Sequence, residues 1–330
     1  MKKVLSLAIA AALVAPVAAM ADSTVYGKVR VATDFVDDNT TLDDEVGLSD
    51  QSSRLGIKGS EDLGNGLKAI YKMEFGVKVG DELGTLGARN AYVGLAGNFG
   101  TFLAGRHDTP MKMSTGKLDL FADTIADYDT GSAGIAGHTG LFKDRREDGV
   151  LAYISPNWGG FTLAGAAVQV DSTDDFLNAY SLAGMYSNGP WYVSAAVEEI
   201  ENSVLTAGAT EDEFQTRLGF GLLDMAGFTA AVVYETRDDI DGVTGHDTEA
   251  WQLSGGYGFG DHMFKAMYGT INDEFSTTIG TVDTDEDSYA FGYQYNLSKR
   301  TDAQVVYTAR ENDDTNEELD GLSFQLSHNF

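Results

Sequence analysis

The chain has 330 residues, no cysteine, and 22 basic against 51 acidic side chains, a formal net charge of −29. That excess of negative charge excludes nucleic acid as a partner, because phosphate binding needs the opposite sign. The lack of cysteine excludes a disulfide framework, a thiolate metal site and a cysteine nucleophile.

The first residues read as an export signal. Lys2 and Lys3 supply positive charge, Val4 to Val17 a short apolar run, and Ala19-Met20-Ala21 an A-x-A cleavage pattern. The run is too short to span a bilayer and contains Pro16, so 1–21 is assigned as a cleaved signal peptide and 22–330 as the mature chain. Without Lys2 and Lys3 the mature chain keeps 20 basic side chains against 51 acidic ones, a net charge of −31. No later stretch reaches the about 18 uncharged apolar residues of a membrane helix. If this chain crosses a membrane it must therefore do so as strands of a closed barrel, the other structure that pairs every backbone polar group. Thirty-nine glycines, fifteen tyrosines and seventeen phenylalanines suit tight turns and aromatic girdles, although a glycine-rich soluble sandwich shares part of that composition.

Strand-like segments of about ten residues begin near Thr24, Ser53, Leu67, Arg89, Thr101, Gly149, Phe161, Ala179, Trp191, Phe214, Phe228, Glu249, His262, Ser288, Asp302 and Gly321, sixteen in all. The alternation is cleanest at the C-terminus, where Leu322, Phe324, Leu326, His328 and Phe330 interleave with Ser323, Gln325, Ser327 and Asn329. Leu67, Ala69, Tyr71, Met73 and Phe75 against Lys68, Lys72 and Glu74 repeat it. A soluble sheet would need a layer to cover its apolar face, and only one helical stretch offers itself. The pattern therefore reads inside out, apolar residues toward lipid and polar ones toward a lumen. Connections alternate as well: short turns such as Glu61 to Gly66 and Ser187-Asn188-Gly189-Pro190 mark one rim. Long acidic loops such as Asp37 to Asp50, Val282 to Asp287 and Glu311 to Asp320 mark the other. The fold class expected is all-β, a transmembrane antiparallel barrel of about sixteen strands.

One connection, about 107–147, is far longer than an ordinary loop. Within it Leu118, Phe121, Ile125 and Ala122 fall at helical spacing, and Asp119, Asp123 and Asp127 fall four apart on another face. One reading is a surface helix with solvated carboxylates; the other is a loop folded into the lumen, apolar side on the wall and carboxylates toward the pore. The basic residues favour the second. Lys28, Arg30, Arg54, Lys58, Lys72, Arg89, Arg106 and Arg146 lie mostly on the polar faces of the first six strands, so cations on a wall opposite anions on a loop would set a transverse field across a narrow aqueous slot.

At these residues the sequence resembles the general trimeric porins of Gram-negative outer membranes, in particular their β- and γ-proteobacterial branch. The matching stretches are Val25-Tyr26-Gly27-Lys28, Ser53 through Leu67, Ala91-Tyr92-Val93-Gly94-Leu95 and Gly105-Arg106; Asp108-Thr109-Pro110 with Lys117 to Phe121 is similar to that branch's constriction loop. The resemblance is dense up to about residue 165 and reduces to pattern beyond. It implies a homotrimer whose third loop forms an eyelet, with a basic wall of Lys28, Arg54, Arg89 and Arg146, the last exchangeable with Arg145, facing acidic loop residues. The Pro-Glu-Phe-Gly-Gly tip of the enterobacterial loop is absent, so the acidic partners rest on spacing, Asp119 and Asp123 ahead of Asp127. Arg30, Lys58, Lys72 and Arg106 are secondary lumen residues, and the terminal Phe330 is similar to the signal read by the barrel-assembly machinery.

The chain is thus expected to be a passive outer-membrane channel for ions and small hydrophilic solutes, made cation-preferring by its acidic mouth, with no cofactor, no metal and no catalysis. Lipopolysaccharide and lipid are its expected surroundings. The runner-up is a substrate-specific porin with a saturable site. An enzyme is disfavoured because His107, His138, His246, His262 and His328 form no metal-ligand pair and no G-x-S-x-G elbow occurs. A plugged structural barrel would need loops that fill the pore.

Overall fold

The computed structural model describes residues 23–38, 45–79, 86–129, 141–169, 177–205, 209–277, 280–312 and 317–330. The leader 1–21, His138, the Asp43-Asp44 and Asp313-Asp314 pairs and the far tip of the long insertion lie outside them.

Seventeen strand segments follow in order: β1 (Thr24–Asp38), β2 (Glu45–Asp50), β3 (Arg54–Gly64), β4 (Leu67–Val77), β5 (Leu86–Gly97), β6 (Gly100–Asp108), β7 (Arg146–Ile154), β8 (Phe161–Val168), β9 (Ala179–Asn188), β10 (Trp191–Ile200), β11 (Glu213–Met225), β12 (Phe228–Asp238), β13 (His246–Phe259), β14 (His262–Thr277), β15 (Gly280–Asn296), β16 (Thr301–Asn312) and β17 (Glu317–Asn329). β2 and β3 both pair with β1, over its upper half (Val31↔Asp50 to Val36↔Glu45) and its lower half (Thr24↔Lys58 to Lys28↔Arg54). They are two halves of one barrel strand, broken where Ser52 takes a φ of 60°. The barrel therefore has sixteen strands, each antiparallel to its neighbours. It closes through β1 and β17, from Lys28↔Asn329 to Asp38↔Leu319, and Gly27 and Phe330 add a reciprocal pair of backbone bonds at 3.0 Å. Closure leaves no free edge, as a strand structure in hydrocarbon requires.

The faces are inside out. On β10, Trp191, Val193 and Val197 are exposed on the outer surface while Tyr192, Ser194, Ala196 and Glu198 are buried inside; on β17, Phe324 and Leu326 face out and Ser323, Gln325 and Ser327 face in. Near the short-turn rim the outer aromatics touch in series, among them Phe99–Phe102, Trp191–Phe220, Phe228–Tyr257 and Phe264–Tyr293, the girdle expected at a membrane interface.

Three expectations are corrected. Asp37 to Asp50 is not one polar loop, since β1 runs to Asp38 and β2 begins at Glu45. Val282 to Asp287 lies within β15, and most of Glu311 to Asp320 belongs to β16 and β17. Above the hydrocarbon both faces of a hairpin meet water, so the apolar alternation stops while the backbone ladder continues. Third, the insertion is not helical over 118–127. The helix among its described residues, α1, is Pro110–Thr115, started by Pro110 and the Thr109 cap and followed by Gly116. Beyond it Asp119 and Asp127 accept backbone N–H groups two residues on, from Phe121 at 2.8 Å and Asp129 at 2.9 Å, which favours successive turns over a helix.

Candidate functional site

β6 delivers the chain into the lumen at Asp108, and α1 lies against β9, β10 and β11, tied by the Met111 N–H to Ser181 Oγ (3.0 Å) and the Tyr192 hydroxyl to the Ser114 carbonyl (2.7 Å). Leu118, Phe121 and Ile125 are fully buried on the wall, while Ala122 is exposed. They sit where inward positions of the strands are glycine. A Cβ at Gly221 of β11 would lie 2.6 Å from Leu118 Cδ2, and one at Gly292 of β15 or Gly321 of β17 would lie 3.1 Å from Phe121 Cε1 or Ile125 Cδ1. The missing side chains clear a track for the loop, and each large apolar group seated there contributes about 1.5–3 kcal/mol.

The track, which runs round the wall from β11 past β15 and β17, brings Asp123 to β1 and β3. Asp123 takes a φ of 58°, and its Oδ2 meets Lys28 Nζ at 2.9 Å and an Arg54 terminal nitrogen at 2.5 Å. Arg30 donates to the carbonyls of Ala122 (3.1 Å) and Asp123 (2.8 Å), which fixes the backbone beneath that carboxylate. On the neighbouring strands Glu74 accepts from the Tyr26 hydroxyl (2.7 Å) and from Arg89 Nε (2.7 Å), with Lys72 Nζ at 3.2 Å. Arg146 Nε reaches Asn90 Oδ1 (2.9 Å) and Asp108 Oδ1 (2.8 Å), and Asn90 donates to Asp108 at 2.8 Å. Lys28, Arg54, Lys72, Arg89 and Arg146 line one polar recess of about 330 Å³ with Glu74 and Asp108. Counting Asp123 at its edge, five cations face three carboxylates.

The four residues of the expected basic wall thus come together, and the Arg145/Arg146 alternative separates: Arg146 enters the recess, whereas Arg145 turns to Glu198 (3.3 Å) and Glu213 (2.6 Å). Of the secondary residues, Lys72 lies in the recess, Lys58 stacks over the Tyr26 ring at 5.1 Å, and Arg106 pairs with Asp148 at 3.0 Å. The acidic loop set does not act as expected. Asp123 touches the basic wall instead of standing across a slot from it. Asp119 and Asp127 are turned inward onto backbone N–H groups, Asp127 Oδ2 accepting from Asp123 N at 2.6 Å. Burial pushes the Asp119 carboxyl well above the usual carboxylate range and Asp127 up to about 7, the latter against the two N–H groups it accepts. Burial also works to raise Asp123, but Arg54 and Lys28 outweigh it and hold that carboxyl well below the usual range. A cation-preferring channel finds no support in this surplus of positive charge at the recess.

Sequence reading missed Glu74, Asn90, Asp108 and Tyr26 as members of the recess. The usable signal for Glu74 was its place two residues from Lys72, which puts both on the same face of β4.

A family model described as Gram-negative porin matches residues 7–315. Outer membrane porin protein 32 of Delftia acidovorans is 31% identical over 326 residues, covering 91% of this chain and 87% of that protein. The major outer membrane protein P.IB of Neisseria lactamica is 27% identical over 322 residues, covering 92% of each. Among solved structures, the anion-selective porin from Comamonas acidovorans superposes with a TM-score of 0.78 at 22% identity, covering 93% of this chain and 99% of that one. In vitro folded OmpT of Vibrio cholerae in its trimer form gives 0.68 at 17% identity, with coverage of 93% and 99%.

Proposed function

We propose, from the premise that this chain belongs to the Gram-negative porin family and forms a non-enzymatic diffusion channel across the outer membrane, that its constriction prefers small anions. The observation that carries this reading is the recess in which Lys28, Arg54, Lys72, Arg89 and Arg146 outnumber Glu74, Asp108 and Asp123. Selectivity is set where the aqueous path is narrowest, because there a permeating ion sheds most of its screening water and comes closest to fixed charge. The acidic loops at the wide rim act on ions still surrounded by salt, whose Debye length is about 8 Å at physiological strength. Local surplus at the recess therefore outweighs the −31 of the mature chain. This reading replaces the expectation of cation preference drawn from the acidic mouth, and the anion selectivity of the structurally similar Comamonas porin supports it.

Reversal potential in a planar bilayer under a salt gradient tests the reading. Large ohmic steps with anion preference support it, and cation preference refutes it. A small conductance that one anion blocks saturably would move the channel to the substrate-specific class.

The same reading has the mature chain beginning at Asp22 after loss of 1–21, three copies assembling through the exposed apolar outer face, and contact with lipopolysaccharide at the long-loop rim. The OmpT trimer form supports the assembly. Phe330 would serve as the signal to the assembly machinery, and it also staples β17 to Gly27 of β1.

A further inference from the structure

We infer that Arg217 is a positioning residue for the eyelet: one guanidinium that gathers three separate stretches of the constriction loop and so sets the size limit of the pore without touching the permeating solute. This inference is independent of the sign of ion preference.

Arg217 projects inward from β11 and is fully buried. One terminal nitrogen donates to Thr115 Oγ1 (3.0 Å), at the end of α1, and to Asp144 Oδ1 (2.5 Å), on the returning limb. The other donates to the Lys143 carbonyl at 2.9 Å, while Nε pairs with Glu235 Oε2 of β12 at 2.5 Å. The third stretch supplies the Tyr128 ring, 6.0 Å from the guanidinium carbon, beside the Phe142 ring at 5.4 Å. The stretches are also tied to each other: the Thr115 and Tyr128 hydroxyls lie 3.2 Å apart, and Phe142 N donates to the Tyr128 carbonyl at 3.0 Å. Glu235 completes the hub by accepting from Lys143 N at 3.2 Å.

The consequence follows from chain order. Thr115 and Tyr128 bracket the segment 116–127, which runs along the wall from β11 past β15 and β17 and carries Asp123 to Lys28 and Arg54. Both ends of that excursion are pinned on the β11–β12 wall, while its tip is pinned on β1 and β3. A planar fork with five donors can serve all these acceptors at once; an ammonium on a flexible stem cannot. The eyelet charges stay in place if the hub is loosened, because Arg30 and the Asp123 pairs hold the tip independently. Losing the hub should therefore change how far the loop body excludes solute and how much it fluctuates, not which ion sign passes.

The test compares Arg217→Gln, Arg217→Lys and the loop-side double variant Thr115→Val/Asp144→Ala with the parent protein. Single-channel conductance and noise, swelling of proteoliposomes in a graded series of neutral sugars, and reversal potential are recorded. The expected result is a severalfold rise in disaccharide flux relative to monosaccharide and larger open-channel noise in all three variants, with reversal potential unchanged. Because Arg217→Gln leaves Glu235 buried without its partner, that variant could fail to assemble. The double variant leaves every barrel strand intact and then decides the matter. Unchanged sieving and noise in a folded double variant overturn the inference, as does full parental behaviour of Arg217→Lys. A reversal-potential shift as large as that of Asp123→Asn overturns it too, since that would mean the hub acts through eyelet charge.

Discussion

Replacing Asp123 with Asn removes one negative charge from the edge of a recess where five cations face three carboxylates, leaving the fold beneath it tied by the two Arg30 bonds to the Ala122 and Asp123 carbonyls. For an ion passing about 5 Å away in water, one unit charge is worth about 0.8 kcal/mol, reduced to about 0.4 kcal/mol by physiological salt. The change favours an anion and disfavours a cation by equal amounts, so the anion-to-cation permeability ratio should rise about four- to fourteen-fold. Reversal potential under a salt gradient reads that ratio directly, and single-channel conductance serves as the control that the loop has not moved. Because Arg54 and Lys28 hold the Asp123 carboxyl far below the usual range, the difference between parent and variant should be the same at about pH 5 as at pH 7. An unchanged ratio, or a shift toward cations, would refute the premise that the recess controls selectivity.

Glu74→Gln should shift reversal potential in the same direction, since it leaves Arg89 and Lys72 without their carboxylate. Gly221→Ala should displace Leu118, whose Cδ2 is 2.6 Å from the new Cβ, at about 1–3 kcal/mol for overpacking, and alter conductance; normal sieving and thermal stability in that variant would count against the glycine track. Asp127 has a folded pKa pushed up to about 7, above its ordinary value, so its ionisation opposes the folded loop; Asp119 works in the same direction. Stability should then increase as pH falls through 7 and level off near the ordinary carboxylate pKa of about 4, and thermal unfolding of Asp127→Asn should show a flatter profile over that window. Phe330→Ala should lower the yield of heat-modifiable barrel on unheated gels by loosening the closure at Gly27; parental yield would remove Phe330 from assembly.

Much of the fold was legible because the bilayer imposes its own alternation. Trp191, Val193 and Val197 facing out, with Ser194 and Glu198 facing in, state the two solvents residue by residue. Short turns such as Asn65-Gly66 state the rim, since left-handed φ values of 53° and 78° suit those residue types. Legibility failed where both faces see water: the upper parts of β1, β15, β16 and β17 carry charges on both sides, and nothing in a hydropathy pattern separates a solvated ladder from a solvated loop.

At the site, sequence by itself determined most of the cations, because a period of two fixes the inward positions on β1, β3 and β4 that Lys28, Arg54 and Lys72 occupy; Arg89 has the parity of the outward Val93 and Leu95 and reaches the recess beside Asn90 through the register shift between β4 and β5. Tertiary structure alone decided where the loop carboxylates go. Helical spacing gave Asp119, Asp123 and Asp127 one face, yet the loop follows a track of inward glycines and turns at each aspartate, so only Asp123 reaches the recess. It also decided that Arg217, a single arginine on a strand far from the dense family motifs, joins residues 102, 89 and 74 positions away in the chain. Strand parity is a local property of the backbone and can be read from order wherever no register shift intervenes; the path of a loop along the inner wall depends on contacts between residues distant in sequence, which order alone does not encode.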